Sequence, residues 1–398
     1  MKKLLALSLL CALGSVRQTQ AYGPDGHRII GAIADQKLAN TPAGVRVSAL
    51  IDGYTLEEAA NIADTIKQWD KPGVDDPKVR QYFSSHPKIA EQLRAFWKAN
   101  PPTFDEKSTV PSHHWFHYTD VPLAAPVKYG DGTAGRNQWD IVHMMRYCIA
   151  VLKGAEPEEN ARKITRPIAI ILLAHFVGDI HQPLHVGAEY FDAQGRPADP
   201  DKPGETFADE GGNSLRLKLN TAPPPGASRH PKLHGFWDSD TVFANLPQMP
   251  DSMPKEERQM KMNAAEKALI LRLAKTEPKH WQLPLSVRVE DYPEAWANEI
   301  LPIAREAHAR LTFDHVKPTL DHEKMLADGD AVERPMPDGL SYRTWSGRVV
   351  LDEMRKAGWR LASLLAKVVG PVEADASTPE SSAKPIVIHD ESRPQASP

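Results

Sequence analysis

Ile168-Ala169-Ile170-Ile171-Leu172-Leu173-Ala174-His175-Phe176-Val177-Gly178-Asp179-Ile180-His181-Gln182-Pro183-Leu184-His185 is the stretch on which the reading of this chain turns. Ile168, Ile171, Leu172 and Phe176 recur at the spacing of an α-helix. His175 and Asp179 sit one turn apart on that helix, on one face, close enough to hold one cation. Pro183 ends the helix and swings His185 back toward the same spot. A lone histidine on an apolar face is ordinary core. Three ionisable groups inside one apolar helix are different, because burying them without a cation costs several kcal/mol. Imidazole and carboxylate donors without thiolate suit zinc.

The same period spreads outward through Ile29-Ile30-Ala32-Ile33-Leu38, Ile141-Met144-Met145-Cys148-Val151-Leu152 and Val350-Met354-Ala357-Leu361-Leu364-Leu365. Strand-like alternation is scarce, and residues 214–219 are the best candidate for a short hairpin arm. The expected fold is therefore all-α, a mainly helical bundle with long loops and at most a short β-hairpin. The 35 prolines cluster between the periodic segments, as in Pro101-Pro102 and Pro223-Pro224-Pro225, and mark ordered loops rather than domain linkers.

Met1-Lys2-Lys3 followed by the apolar run from Leu4 to Val16 and by Thr19-Gln20-Ala21 reads as a signal peptide over 1–21, cut before Tyr22. That predicts a secreted or periplasmic protein. Residues 22–370 form the expected folded domain. The tail over 371–398, rich in Ser, Pro, Glu and Ala, is expected to be disordered. Cys11 lies in the leader, so Cys148 stands alone in the mature chain and an intrachain disulfide is excluded. Removing Lys2, Lys3 and Arg17 takes the formal charge from −4 to −7. An acidic protein does not hold polyanions by a general basic field, so bound cations would have to attract a nucleic acid. No second apolar stretch is long enough to span a membrane.

Further His and Asp residues lie elsewhere: His234-Gly235-Phe236-Trp237-Asp238 repeats the one-turn pattern, Asp64 follows Ala63, and His117 sits in His113-His114-Trp115-Phe116-His117-Tyr118-Thr119-Asp120. With Gly23-Pro24-Asp25-Gly26-His27, Gly211-Gly212-Asn213 and the block from Ala174 to His185, these motifs resemble the trinuclear zinc single-strand nucleases of the S-one and P-one type. That family shares its fold with zinc-dependent phospholipase C. The likeness runs in order from Tyr22 to about Leu365.

The resemblance implies three Zn2+ ions. Asp64, His117, His175 and Asp179 would hold one, His185, His234 and Asp238 a second, and the free N-terminus of Tyr22 with His27 and Asp179 a third. It implies Lys67 as a cationic phosphate contact beside the catalytic Asp64 and Asp179. Tyr118 would stack a nucleobase, while Asp120 and Asn213 would bond its edge. The implied activity is hydrolysis of single-stranded DNA and RNA and of 3'-nucleotides to 5'-phosphate products, by a hydrolase acting on ester bonds. No protein partner or membrane anchor is implied, and a monomer is expected.

Three departures from the family stand out. Tyr22 replaces the usual Trp, segments 72–109 and 188–209 look inserted, and the paired cysteines of relatives are missing. Two other readings compete: a phospholipase C-like enzyme on the same metals, and a non-catalytic zinc-stabilised protein. A closed structural site is usually single, whereas nine ligands for three ions leave positions open. His113, His114, His143 and His181 read as structural or surface groups. Glu277-Pro278-Lys279-His280 has di-iron spacing, but Pro278 breaks the helix that motif needs.

Overall fold

The computed structural model describes residues 22–67, 69, 86–101, 112–124, 127–223, 228–250, 252–321 and 324–369. The expected leader over 1–21, the tail over 371–398 and most of the 72–109 segment lie outside the described residues. Among the described residues the α-helices are, in order, α1 (Gly23–Leu38), α2 (Pro42–Leu50), α3 (Leu56–Ala59), α4 (Ile62–Lys67), α5 (Pro87–Ala99), α6 (Ile141–Leu152), α7 (Arg166–Asp179), α8 (Leu233–Gly235), α9 (Thr241–Phe243), α10 (Lys255–Lys275), α11 (Tyr292–Ala309) and α12 (Tyr342–Val368). All four periodic segments are helices, in α1, α6, α7 and α12.

α7 is the axis of the bundle. Thr165 caps it, its hydroxyl accepting from Ile168 N, and Pro167 occupies the first turn. Every residue from Ile168 to Asp179 is buried. It packs against α6, α12 and α1, and α1 packs on α12 as well. α5, from the 72–109 segment, lays Leu93 and Phe96 into the core, with Phe96 6.3 Å from Phe116, the neighbour of His117.

A sheet departs from the all-α expectation. β1 (Val121–Pro122) pairs with β2 (Gly187–Ala188), and a five-stranded sheet joins β3 (Tyr190–Phe191), β4 (Phe207–Ala208), β5 (Leu215–Lys218), β6 (Leu311–Asp321) and β7 (Lys324–Glu333). The β6–β7 hairpin is long, which corrects the expectation of at most a short one. Residues 214–219 do supply a strand, β5, but it pairs in parallel with β7 rather than in a hairpin.

The physical reason is charge pairing. β7 contains Asp328-Gly329-Asp330, a poor strand sequence by propensity. It is held because Arg216 and Lys218 of β5 reach across: Arg216 to Asp328 at 3.1 Å and to Asp330 at 3.2 Å, Lys218 to Asp330 at 2.8 Å. Pro318 is tolerated because β6 pairs on one side only, with β7.

Beneath this sheet, Glu189 is buried between β2 and β3. Its N–H donates to Asp209 Oδ1 at 3.0 Å, and Asp209 Oδ2 meets His308 Nε2 at 3.1 Å. Burial, with Asp209 adding and His308 opposing, pushes the Glu189 carboxyl up to about 7. His308 is raised too, Asp209 and Glu189 outweighing its burial. Both folded values lie above the unfolded ones, so the fold binds more protons and both contributions fade as pH rises through the neutral range. Thermal denaturation should show the wild type losing up to about 1.4 kcal/mol of stability per pH unit relative to Glu189→Gln as pH rises from 5 to 7. Parallel curves for the two proteins would contradict this.

Candidate metal centre and active site

The end of α7 meets Asp64 of α4 and His117 of the turn over residues 113–117 in one buried cluster. Asp179 Oδ2 lies 3.0 Å from His117 Nδ1 and 3.2 Å from His175 Nε2. His175 Nε2 and His117 Nδ1 are 3.1 Å apart, and Asp64 Oδ1 stands 3.7 and 3.8 Å from them. Tetrahedral zinc, with donors at 2.0–2.2 Å, separates its ligands by about 3.3 Å, which these distances bracket. The four donors predicted to share one ion therefore share one place.

A second group is built on α8 and the turn after α7. His185 and His234 bring Nε2 to Nε2 at 3.0 Å, and His234 Nε2 is 3.5 Å from Asp238 Oδ2. His234 ends in α8 while Asp238 lies in a π-helical turn over Phe236–Asp240, a local irregularity of the kind found at functional sites. Gln182 Nε2 donates to Asp238 Oδ1 at 2.8 Å while its Oε1 accepts from Leu184 N. Gln182 thereby orients a carboxylate and ties it to the turn carrying His185. It was not among the expected site residues, and nothing in its local spacing marks it.

The third predicted group is partly distinct. His27 Nε2 lies 3.2 Å from Asp179 Oδ1, so Asp179 does face two groups. His27 also stacks on His175 at 3.8 Å and falls with Asp64 and His175 into one potential cation cluster. Its approach depends on Gly178: a Cβ there would stand 2.7 Å from His27 Nδ1. Tyr22 is fully buried, and its hydroxyl donates to His181 O at 2.5 Å.

Backbone carbonyls set the tautomers. His175 Nδ1 lies 2.6 Å from Ala60 O, His185 Nδ1 2.8 Å from His117 O, and His234 Nδ1 2.8 Å from Gly211 O. A carbonyl only accepts, so each Nδ1 carries the hydrogen and each Nε2 presents a lone pair. His185 and His234 therefore aim two lone pairs at each other across 3.0 Å, an arrangement that only a cation or a proton between them makes favourable. Burial and the neighbouring His185 hold His234 down at about 3, and burial lowers His185, so a proton is disfavoured.

The remaining charges agree. Burial lowers His27 and His117 and raises Asp238. Burial opposes ionisation of Asp179, yet the facing His175, His117 and His27 hold it well below the usual carboxylate range. His27 Nδ1 and Nε2, Asp179 Oδ1 and Asp238 Oδ2 are buried without a hydrogen bond, while Asp64 Oδ1 faces the Lys67 ammonium. Buried polar atoms of this kind call for an explanation, and a bound cation is the one that this donor set fits.

These features agree with the comparison with known proteins, in which the family described as S1/P1 Nuclease matches residues 22–370. The chain belongs to the S1/P1 nuclease family. It is similar to three Arabidopsis thaliana proteins: Endonuclease 2, 26% identical over 33% of this chain and 39% of that protein; Endonuclease 4, 25% identical over 34% and 40%; and Endonuclease 1, 22% identical over 61% and 60%. The alignments thus span between 39% and 60% of the length of these relatives.

In this family member Lys67 ends α4 with Nζ 2.8 Å from Asp64 Oδ1, one turn away on the same face. Tyr118, half-buried, follows His117 directly. Thr119 N donates to His185 O, and Gly211 lies against Leu184 O, so the segments carrying Tyr118 and Asp120 and the one carrying Asn213 both flank residues 184–186. Asn213 Nδ2 donates to Glu210 O at 3.1 Å, which places one of its amide hydrogens on the backbone. The histidines read as bland behave as structural groups where their contacts are defined: His181 is buried against Arg360, and His143 meets Asp140 and Tyr129. Cys148 is a free, buried thiol.

Proposed function

We propose that this protein is an exported zinc-dependent phosphoesterase that hydrolyses single-stranded DNA and RNA and 3'-nucleotides, leaving 5'-phosphates. The observation that carries the metal is the pair of opposed Nε2 lone pairs of His185 and His234 at 3.0 Å. Asp64, His117, His175 and Asp179 would hold one zinc, His185, His234 and Asp238 a second, and His27, Asp179 and the N-terminus of Tyr22 a third. The chemistry zinc supplies when bound is acidification of water, from a pKa of about 15.7 to about 7.

The chain's own residues do the rest. Lys67 is poised beside Asp64 to meet a phosphate oxygen. Tyr118 offers a ring on which any base can stack, and Asp120 and Asn213 meet the base edge. A base must be splayed out to stack in this way, which favours single strands over duplex. The names of the three relatives support a nuclease.

The purified mature protein, supplied with zinc, should release 5'-phosphates from single-stranded DNA and RNA well ahead of duplex DNA. Tyr118→Ala should raise KM for nucleotides about tenfold, since stacking on one ring is worth about 1–3 kcal/mol. Hydrolysis of phosphatidylcholine in place of nucleic acid would overturn the proposal in favour of a phospholipase C-like enzyme. No helix among the described residues is long and apolar enough to cross a membrane.

A further inference from the structure

Segment 188–209 grips the backbone of the loop that carries Asp120. Tyr190 begins β3, is 9% exposed, and donates its hydroxyl to Asp120 O at 3.0 Å. The opposite edge of the loop is held as well: Asp120 N donates to Gly135 O at 2.8 Å, and the Thr119 hydroxyl donates to the same carbonyl at 3.0 Å. Gly135 has φ +71°, and a Cβ there would stand 1.8 Å from Asp120 O and 2.6 Å from the Tyr190 hydroxyl. Three segments converge on one residue with no room for another side chain.

Tyr190 is itself anchored. Its carbonyl accepts from Ala198 N at 2.8 Å, and it pairs with Ala208 across the β3–β4 ladder. The residue before it, Glu189, is tied to Asp209. Burial, followed by the Asp120 and Asp209 carboxylates, pushes the phenol up, so it remains a neutral donor across the working pH range. When both N–H and C=O of a residue are fixed, its side chain keeps only rotamer freedom, and a rigidly presented carboxylate binds its partner with less entropy lost.

We propose that Tyr190 is a positioning residue for base recognition: by holding Asp120 O it aims the Asp120 carboxylate, so segment 188–209 tunes nucleotide affinity from behind the pocket. This rests on the reading of Asp120 as a contact to the base edge.

The test compares kcat and KM on a 3'-nucleotide with those on bis(4-nitrophenyl) phosphate, which has no base edge. Tyr190→Phe removes one hydrogen bond and should lower kcat/KM about threefold to tenfold more for the nucleotide than for the diester, through KM. Gly135→Ala, which forces a Cβ against the same carbonyl, should show the same bias more strongly. Asp120→Ala serves as the reference. Equal losses on the two substrates for Tyr190→Phe and Gly135→Ala, with a nucleotide bias in Asp120→Ala, overturn the positioning role alone. No bias in any of the three overturns the reading of Asp120 and this inference with it.

Discussion

Asp179→Asn is expected to lower turnover on single-stranded DNA by about a thousandfold or more and to strip zinc from the purified protein. The carboxylate uses both oxygens, Oδ1 toward His27 and Oδ2 toward His117 and His175. The amide keeps the shape, but it removes the charge and turns one acceptor into a donor facing imidazoles. Asp64 is then the one remaining carboxylate of that cluster, and Lys67 already neutralises it. Losing a partner that only orients a ligand costs about 10–100-fold. Asp179 is a direct donor to two proposed ions, so its loss should exceed that range. Metal analysis should show zinc falling toward the single ion of His185, His234 and Asp238. A folded variant with a full zinc complement and a loss under tenfold would refute the shared role.

One alanine added ahead of Tyr22 in the mature protein is expected to cost about a hundredfold in kcat while leaving the fold in place. The seat of this residue is already formed within the longer chain. Its ring is fully buried and its hydroxyl is bonded to His181 O. Gly23, at φ +53°, lies against Asp238 O, and a Cβ on Gly26 would stand 2.5 Å from Tyr22 Cβ. In an uncut or extended chain the Tyr22 nitrogen is an amide, its lone pair delocalised into the carbonyl and unable to ligate. Cleavage before Tyr22 would convert it, in the same place, to an amine that can. The variant should retain its circular dichroism and lose about one zinc. Wild-type rates from the extended protein would refute ligation by the N-terminus.

Tyr22 also shows what a departure from the family means physically. Where the resemblance implies Trp, the phenol of Tyr22 donates to a carbonyl in the turn between Asp179 and His185. Segment 188–209, which reads as an insertion in the sequence, is woven into the sheet through β3 and β4 and bonds Asp120. Neither contact leaves a trace in local spacing, because each joins residues more than sixty positions apart.

The sequence by itself determined the helical frame and the donor set. Apolar periodicity in α1, α6, α7 and α12 is a local signal, because one helix face repeats every few residues. His175 with Asp179, and His234 with Asp238, are legible for the same reason. For His27, Asp64 and His117 no local signal exists and the resemblance alone implied their places; the contacts themselves depend on the packing of α1 and α4 against α7 and on a glycine that admits His27. Only the tertiary structure decided that Gln182 holds Asp238 and that three backbone carbonyls turn the imidazoles inward. The β6–β7 hairpin belongs with these. Its acidic, glycine-containing strand is unfavourable locally and becomes stable once Arg216 and Lys218, over a hundred residues away, arrive beside it.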